Sequence, residues 1–350
     1  MPLSPPACRR WHAALLVVLL AARPSRVAAQ GTAADLLPTV GSIERLDPRF
    51  DALVPRNATI EVLAGGFAWA EGPVWIKAEG RLLFSDVPRN RIHAWKPGEG
   101  LSVFLEPSGF TGPGDYGPEP GSNGLTLDRQ GRLILCEHGD RRVSRLEPRG
   151  GRRTLADAWN GRRFNSPNDV AVHSSGAVYF TDPPYGLPER FDDPRRELDF
   201  CGIYRLAADG TVTAVCKTMA RPNGLAFSPD EKKLYVAQSD PAAPIWKVFA
   251  VRDDGTLDEG GLFFDGTRLL RERKKGLPDG LKVDAAGNLF ATGPGGVLVI
   301  AADGTHLGTL LTGQATANCA FGDDGATLYV TADSLLCRVR LSTTGPVPGP

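Results

Sequence analysis

The sequence predicts an all-β fold: a six-bladed β-propeller with four-stranded blades, its last blade completed by an N-terminal strand. Three observations carry that prediction. A short phrase recurs six times, anchored at Glu71 ("AEGPVW"), Asn123 ("SNGLTLD"), Asn168 ("PNDVAVH"), Asn223 ("PNGLAFS"), Asp279 ("PDGLKVD") and Asn318 ("ANCAFGD"). The anchors lie 52, 45, 55, 56 and 39 residues apart, spacings typical of one blade each. Each opens an alternating apolar run, a turn rich in Gly and Asp such as "DAAGN" or "DDGAT", and a second strand such as "LYVAQ". Two further short strands follow in most repeats, and helical periodicity is nearly absent. Finally, the last repeat offers only "NCAFGD", "TLYVTA" and "LCRVRL", while "ATIEVLAG" (58–65) is left over before the first anchor. Pairing the two closes the ring and removes an exposed sheet edge.

Taken in chain order, residues 1–29 read as a secretory signal peptide. Arg9 and Arg10 form its basic start, Trp11 to Ala22 its apolar stretch and Val27-Ala28-Ala29 its cleavage site. The apolar stretch is too short to span a bilayer and Arg23 interrupts it, which disfavours a membrane anchor. The arginine pair also permits a twin-arginine signal, though the rest of that motif is weak. A secreted or periplasmic location follows, with no membrane association after cleavage. Residues 30–57 are expected to form an extension over the outside, 58–341 the propeller, and 342–350 a disordered tail.

Removing residues 1–29 takes away four arginines and no acid, so a formally neutral chain becomes one of charge near −4. Nothing in that balance points to nucleic acid as a partner. Five cysteines remain of the six, an odd number that excludes a complete disulfide framework. Cys201 and Cys216 flank the hairpin "GIYRLAADGTVTAV", so they are either a cross-hairpin disulfide or two buried thiols.

If each anchor opens the innermost strand of its blade, six oxygen-bearing side chains ring one mouth of the central channel. One Glu, one Asp and four Asn suit a hard divalent cation, Ca²⁺ best, with Mg²⁺, Mn²⁺ or Zn²⁺ also acceptable to the same oxygens. An isolated Asn before a strand is ordinarily a turn residue. Glutamate has no such turn chemistry, so Glu71 favours the cation. The turns at Asp86, His138, Asp182, Asp240 and Asp333 are expected on a wider ring around the same mouth. Tyr185 is expected to shape the pocket or stack on its rim. Trp69, Trp75, Phe84 and Phe180 read as blade core.

These residues resemble the gluconolactonase, regucalcin and luciferin-regenerating-enzyme family. The resemblance covers roughly residues 58 to 340 and rests on "EGPVW", "NSPNDVAV" with "YFTDPPYG", "RPNGLAFSPDEKKLYV" and "LPDGLKVDAAGNLF". It implies a six-bladed propeller with a divalent cation at the channel mouth and hydrolysis of sugar lactones. It implies Glu71, Asn168, Asn223 and Asp279 as metal ligands, with Asp279 also the acid/base. Asn123 and Asn318 are added by the ring geometry as substrate contacts, alongside His138, Asp182 and Tyr185. In the regucalcin branch an arginine that holds the substrate lies two positions before the Asn of the third blade. That position is Ser166 here, expected as a substrate contact in the arginine's place, so the substrate contacts differ. "CEHGDRR" (136–142) and "DPPYG" (182–186) resemble instead the microbial gluconolactonase branch.

The implied chemistry is attack of a cation-activated water on a small sugar lactone. No G-x-S-x-G elbow is present, which disfavours a covalent serine mechanism. Asp279 is the first candidate for the general base and His138 its rival. The competing readings are a related propeller hydrolase of other lactones or phosphoesters, and a non-catalytic secreted propeller that binds a carbohydrate or a protein.

Overall fold

The computed structural model describes Met1 and residues 37–350. The expected signal peptide, 1–29, therefore lies outside the described residues. No helix among those described is long and apolar enough to cross a membrane.

Six antiparallel blade sheets follow one another along the chain, with a two-stranded ribbon, Ala158–Trp159 with Arg162–Arg163, between the second and third. The first blade comprises Ala70–Ile76, Arg81–Asp86, Arg91–Lys96 and Gly100–Leu105, and the next three repeat this four-strand order. The sixth blade is Thr316–Gly322, Thr327–Ala332 and Leu335–Arg340, with Ile60–Gly65 as the strand that closes the ring. Inner strands of neighbouring blades touch all the way round, the sixth against the first included. The propeller expected from the repeat is thus the fold observed, with one five-residue α-helix, Thr267–Arg271, among the described residues.

The alternating strands explain why the blades stack. Each blade presents one apolar face to each neighbour, and six apolar clusters result, one per interface. Between blades six and one, Trp75 stacks on Tyr329 at 5.2 Å with Phe84 beside them. Between blades two and three, Phe180 packs with Cys136 and Val170. Burying one such aromatic side chain contributes about 2–3 kcal/mol. Trp75, Phe84 and Phe180 are core as expected.

The chain ends take paths that the repeat did not specify. Thr39–Val40 adds a fifth strand outside Ile60–Gly65, and Ser42–Arg45 adds one outside His306–Leu311 in blade five. The N-terminal stretch thereby covers the edges of two adjacent blades. The C-terminal residues, expected to be disordered, instead cross the far end of the channel. Thr343 Oγ1 donates to Asp284 Oδ2 at 2.8 Å, Ala285 N to Thr344 O at 2.8 Å and Gly345 N to Gly325 O at 3.0 Å. Val347 packs against the clusters on both sides of blade six. A Pro- and Gly-rich end frays only where nothing receives it, and here the open channel end does.

The disulfide option at Cys201 and Cys216 is corrected by register. A bulge between Ile203 and Tyr204 sets Cys216 opposite Ile203, and all five cysteines among the described residues are free thiols.

Candidate active site at the channel mouth

In four of the six blades the backbone aims the anchor at the axis by one device. In blades one, two, four and six the inner strand carries a bulge at its anchor, between Glu71 and Val74, Ser122 and Leu125, Pro222 and Leu225, and Thr316 and Asn318. The extra residue turns the anchor side chain out of the sheet alternation and toward the channel. The residue after the anchor must then pass close to the next blade. A Cβ on Gly72, whose φ is +50°, would lie 2.1 Å from Asn123 O, and one on Gly280 would lie 2.0 Å from Asn318 Cγ. The recurring Asn-Gly and Asp-Gly pairs thus join a polar side chain to the one residue that lets blades meet there.

All six anchors come together. Asn123 Nδ2 donates to Asn168 Oδ1 at 3.2 Å, Asn168 Nδ2 to Asn223 Oδ1 at 2.6 Å, and Asn318 Nδ2 to Glu71 Oε2 at 3.4 Å. Glu71 also accepts from Gly72 N at 3.0 Å and from Trp69 Nε1 at 3.4 Å. Glu71, Asn168 and Asn318 are each 2% exposed. Asp279 is more open to the mouth, yet its Oδ1 has no hydrogen-bond partner, and neither has Asn123 Oδ1.

Charge is poorly balanced in this ring. Burial pushes the Glu71 carboxyl up to about 7, with the nearby Asp169 adding to the rise. Asp279 is held well above the ordinary carboxylate range, by burial first, then by Glu71, Asp169 and Glu119. Such a cluster favours a positive ion among its oxygens. Among the described residues no trio of His, Cys, Asp or Glu gathers closely enough to hold a metal by itself, so carboxamide oxygens must complete any site. That donor set, two carboxylates with buried carboxamides and orphaned oxygens, fits a hard divalent cation. Glu71, Asn168, Asn223 and Asp279 would hold it.

His138 reaches the ring differently from a general base. Its Nε2 lies 3.2 Å from Asn168 Oδ1, an oxygen because the Asn168 amide nitrogen is spent on Asn223. The imidazole therefore donates there, and its other nitrogen faces Glu119 Oε2 at 3.6 Å, away from the ring. Burial pushes its pKa down to about 4, so it is neutral near pH 7. Its visible task is to orient Asn168.

Two expected substrate contacts, Ser166 and Asp182, are occupied by loop structure. Ser166 is buried, its hydroxyl donating to Pro183 O at 2.6 Å and accepting from Gly186 N at 2.9 Å. Asp182 is buried too, and accepts from Asn165 N and Ser166 N at 2.8 Å each. Asp86 does the same for Ala68 N and Trp69 N. The outer-ring acids at Asp86 and Asp182 thus clamp the segment leading into an anchor. Tyr185 is half-buried on the rim, its hydroxyl 3.4 Å from Ser239 O.

Sequence reasoning missed two residues here. Asp169 fills the position that is glycine after most anchors; it is 3% exposed, with Oδ2 unpartnered. The departure from Asn-Gly to Asn-Asp was its signal. Trp69, read as core, is partly exposed at the mouth, and its spacing of two from Glu71 could have placed it there.

Comparison with known proteins agrees with this architecture. Residues 69–334 match the family model described as the SMP-30/gluconolactonase/LRE-like region. The chain is 43% identical over 320 residues to a gluconolactonase of Zymomonas mobilis, covering 88% of each chain. It is 30% identical to a pentonolactonase of Haloferax volcanii, over 75% of this chain and 80% of that one. Among solved structures, a gluconolactonase from Xanthomonas campestris superposes with a TM-score of 0.75 at 32% identity, covering 87% of this chain and 97% of that one. A calcium-binding regucalcin from Agrobacterium tumefaciens gives 0.66 at 20% identity, over 82% and 95%, and speaks for the fold alone.

Proposed function

The chain belongs to the SMP-30/gluconolactonase/LRE-like family, and on that premise we propose that it is a lactonase that opens a sugar lactone at the carboxylate-rich channel mouth with the help of a divalent cation. The carrying observation is the pairing of Glu71 and Asp279, two raised carboxylates amid buried carboxamides, with Asp279 the more accessible of the two.

Roles follow from the hydrogen bonds. Asn168 and Asn223 are held at the ring by Asn123, His138 and each other, and their oxygens would exchange part of these hydrogen bonds for the ion when it binds. When bound, the cation, Ca²⁺ by the donor set, supplies Lewis acidity toward the lactone carbonyl. Asp279 takes a proton from the attacking water and returns it to the ring oxygen as the ring C–O bond breaks. His138 is the positioning partner of Asn168. Tyr185 walls the pocket on the side of blade four. Residues 1–29 support export, which would place the enzyme outside the cytoplasm.

The test follows proton release on glucono-lactone, with spontaneous hydrolysis subtracted. Asp279→Asn is expected to lower kcat by a factor of about 10³ while its melting temperature stays within a few degrees of the parent. A folded variant that keeps most of the parent rate would remove Asp279 from the chemistry.

A further inference from the structure

The six positions two residues before the anchors form the next ring outward. They are Trp69, Gly121, Ser166, Arg221, Leu277 and Thr316. Trp69 shows that a long side chain from this ring reaches the site, since its indole touches Glu71. Arg221 is the one charged member.

Most arginines around the mouth are engaged within the protein, although Arg141 Nη2 and Arg196 Nε have no partner. Arg89 pairs with Asp86 at 3.1 Å, Arg190 with Glu119 at 3.2 Å and Arg195 with Asp193 at 2.8 Å, while Arg141 donates to Phe164 O. Arg221 makes no ion pair and donates no side-chain hydrogen bond to any described residue. It is half-buried, and its guanidinium lies 4.8 Å from the centre of the Phe191 ring, an arrangement that fixes its plane and leaves its edge free. Arg221 and Asp279 both act electrostatically on the Tyr185 hydroxyl, from opposite signs. Both residues therefore lie in the neighbourhood of Tyr185, whose hydroxyl is 3.4 Å from Ser239 O on the rim.

We propose that Arg221 is a specificity residue that holds an anionic group, a carboxylate or a phosphate, at the end of the sugar remote from the lactone carbonyl. This rests on the lactonase reading above. A fixed guanidinium fork matches such an acid in two parallel hydrogen bonds, which a hydroxymethyl group at the same place does not use fully. The mouth is otherwise rich in carboxylates, so a charged substrate end needs a dedicated cation; Arg141 and Arg196 also lack ion pairs, but each donates to a backbone carbonyl, whereas Arg221 donates no side-chain hydrogen bond to any described residue.

The experiment compares kcat/KM on glucono-lactone, glucaro-lactone and 6-phosphoglucono-lactone for the parent, Arg221→Met and Arg221→Lys. Equilibrium binding of gluconate and glucarate is measured on the same proteins. The parent is expected to favour an acidic lactone, and glucarate over gluconate. Arg221→Met should lower the acidic-to-neutral ratio by roughly tenfold, through KM rather than kcat, and Arg221→Lys should fall between. Glucaro- and phosphoglucono-lactone distinguish the two acids. Equal losses on acidic and neutral lactones, or a parent without acid preference in turnover and binding, overturn the assignment. Should no lactone be opened while glucarate still binds through Arg221, the lactonase reading falls and the arginine's role stands. If Arg221→Met does not fold, the parent's glucarate preference and Arg221→Lys decide.

Discussion

The two ends of the channel are built from the same six strands and have opposite chemistry. At the mouth, each inner strand is entered through an oxygen-bearing anchor, with a bulge there in four of the six blades and close approaches to the next blade such as those at Gly72 and Gly280. A few residues further along, the same strands present Val74, Leu125, Val172, Leu225 and Phe321 to an apolar cavity of about 500 Å³, closed in part by Gly345 and Pro346 of the C-terminal segment. Its volume alone would make the far end the more inviting ligand site. Glu231, Lys282 and Asp284 also line that cavity, but of the two ends only the mouth holds the orphaned oxygens and the carboxyls raised by burial. The comparison teaches that in this fold shape is supplied by the ring wherever the strands diverge, while chemistry is supplied only where the backbone leaves its regular alternation.

Equivalent glycine substitutions at the two ends separate the claims most sharply. Gly280→Ala puts a methyl group against the Asn318 amide; it is expected to displace that anchor and cost at least roughly a hundredfold in lactone turnover, with about 2–3 kcal/mol of stability. Gly345→Ala puts one against the Phe321 ring at 2.1 Å. It should cost about 1–3 kcal/mol of stability and leave kcat within about twofold. Comparable turnover losses at both ends, in thermal melts and rate measurements on the two proteins, would break the distinction.

A second contrast lies in pH. Without a cation, the raised Glu71 and Asp279 carboxyls bind protons more tightly in the folded than in the unfolded chain. Their contribution to stability is therefore most favourable at low pH and is lost as pH rises from the ordinary carboxylate range toward about 7, the folded value of Glu71. A cation must displace those protons, so the rise in melting temperature on adding Ca²⁺ to EDTA-treated protein should grow between pH 5 and 7.5. A rise that is constant or shrinks over that window would argue that these carboxylates are not where the ion binds.

Smallest is the expected effect of removing the far-end seal. Truncation after Ser342 loses three hydrogen bonds and the packing of Val347, about 2–3 kcal/mol together. The melting temperature should fall by a few degrees with kcat/KM nearly unchanged. A loss of turnover exceeding tenfold would mean that the two ends are coupled.

How much of this was legible in the sequence follows the same division. The repeat, the ring closure by residues 58–65 and the six anchors were readable because each is a periodic consequence of blade geometry. Glu71 stood out among the anchors as well, because glutamate has no turn chemistry of its own. Ser166 and Asp182 carried the right residue types for substrate contact, yet both are used by the loop entering Asn168. Side-chain commitments of that kind depend on which backbone N–H groups are left over, and no spacing records them. The edge strands at Thr39–Val40 and Ser42–Arg45 are short, and their partners are distant in sequence. Cys201 and Cys216 looked symmetrical across their hairpin until one bulge shifted the register.

The most direct test of the central claim is a calorimetric titration of Ca²⁺ into the EDTA-stripped mature chain, with lactone turnover measured on the same samples, for the parent and for Glu71→Gln. One ion per chain, binding in step with recovery of turnover and weakened at least roughly tenfold in Glu71→Gln, is the predicted result. Turnover that survives complete stripping, or Ca²⁺ binding that Glu71→Gln leaves untouched, would contradict a cation site at the channel mouth.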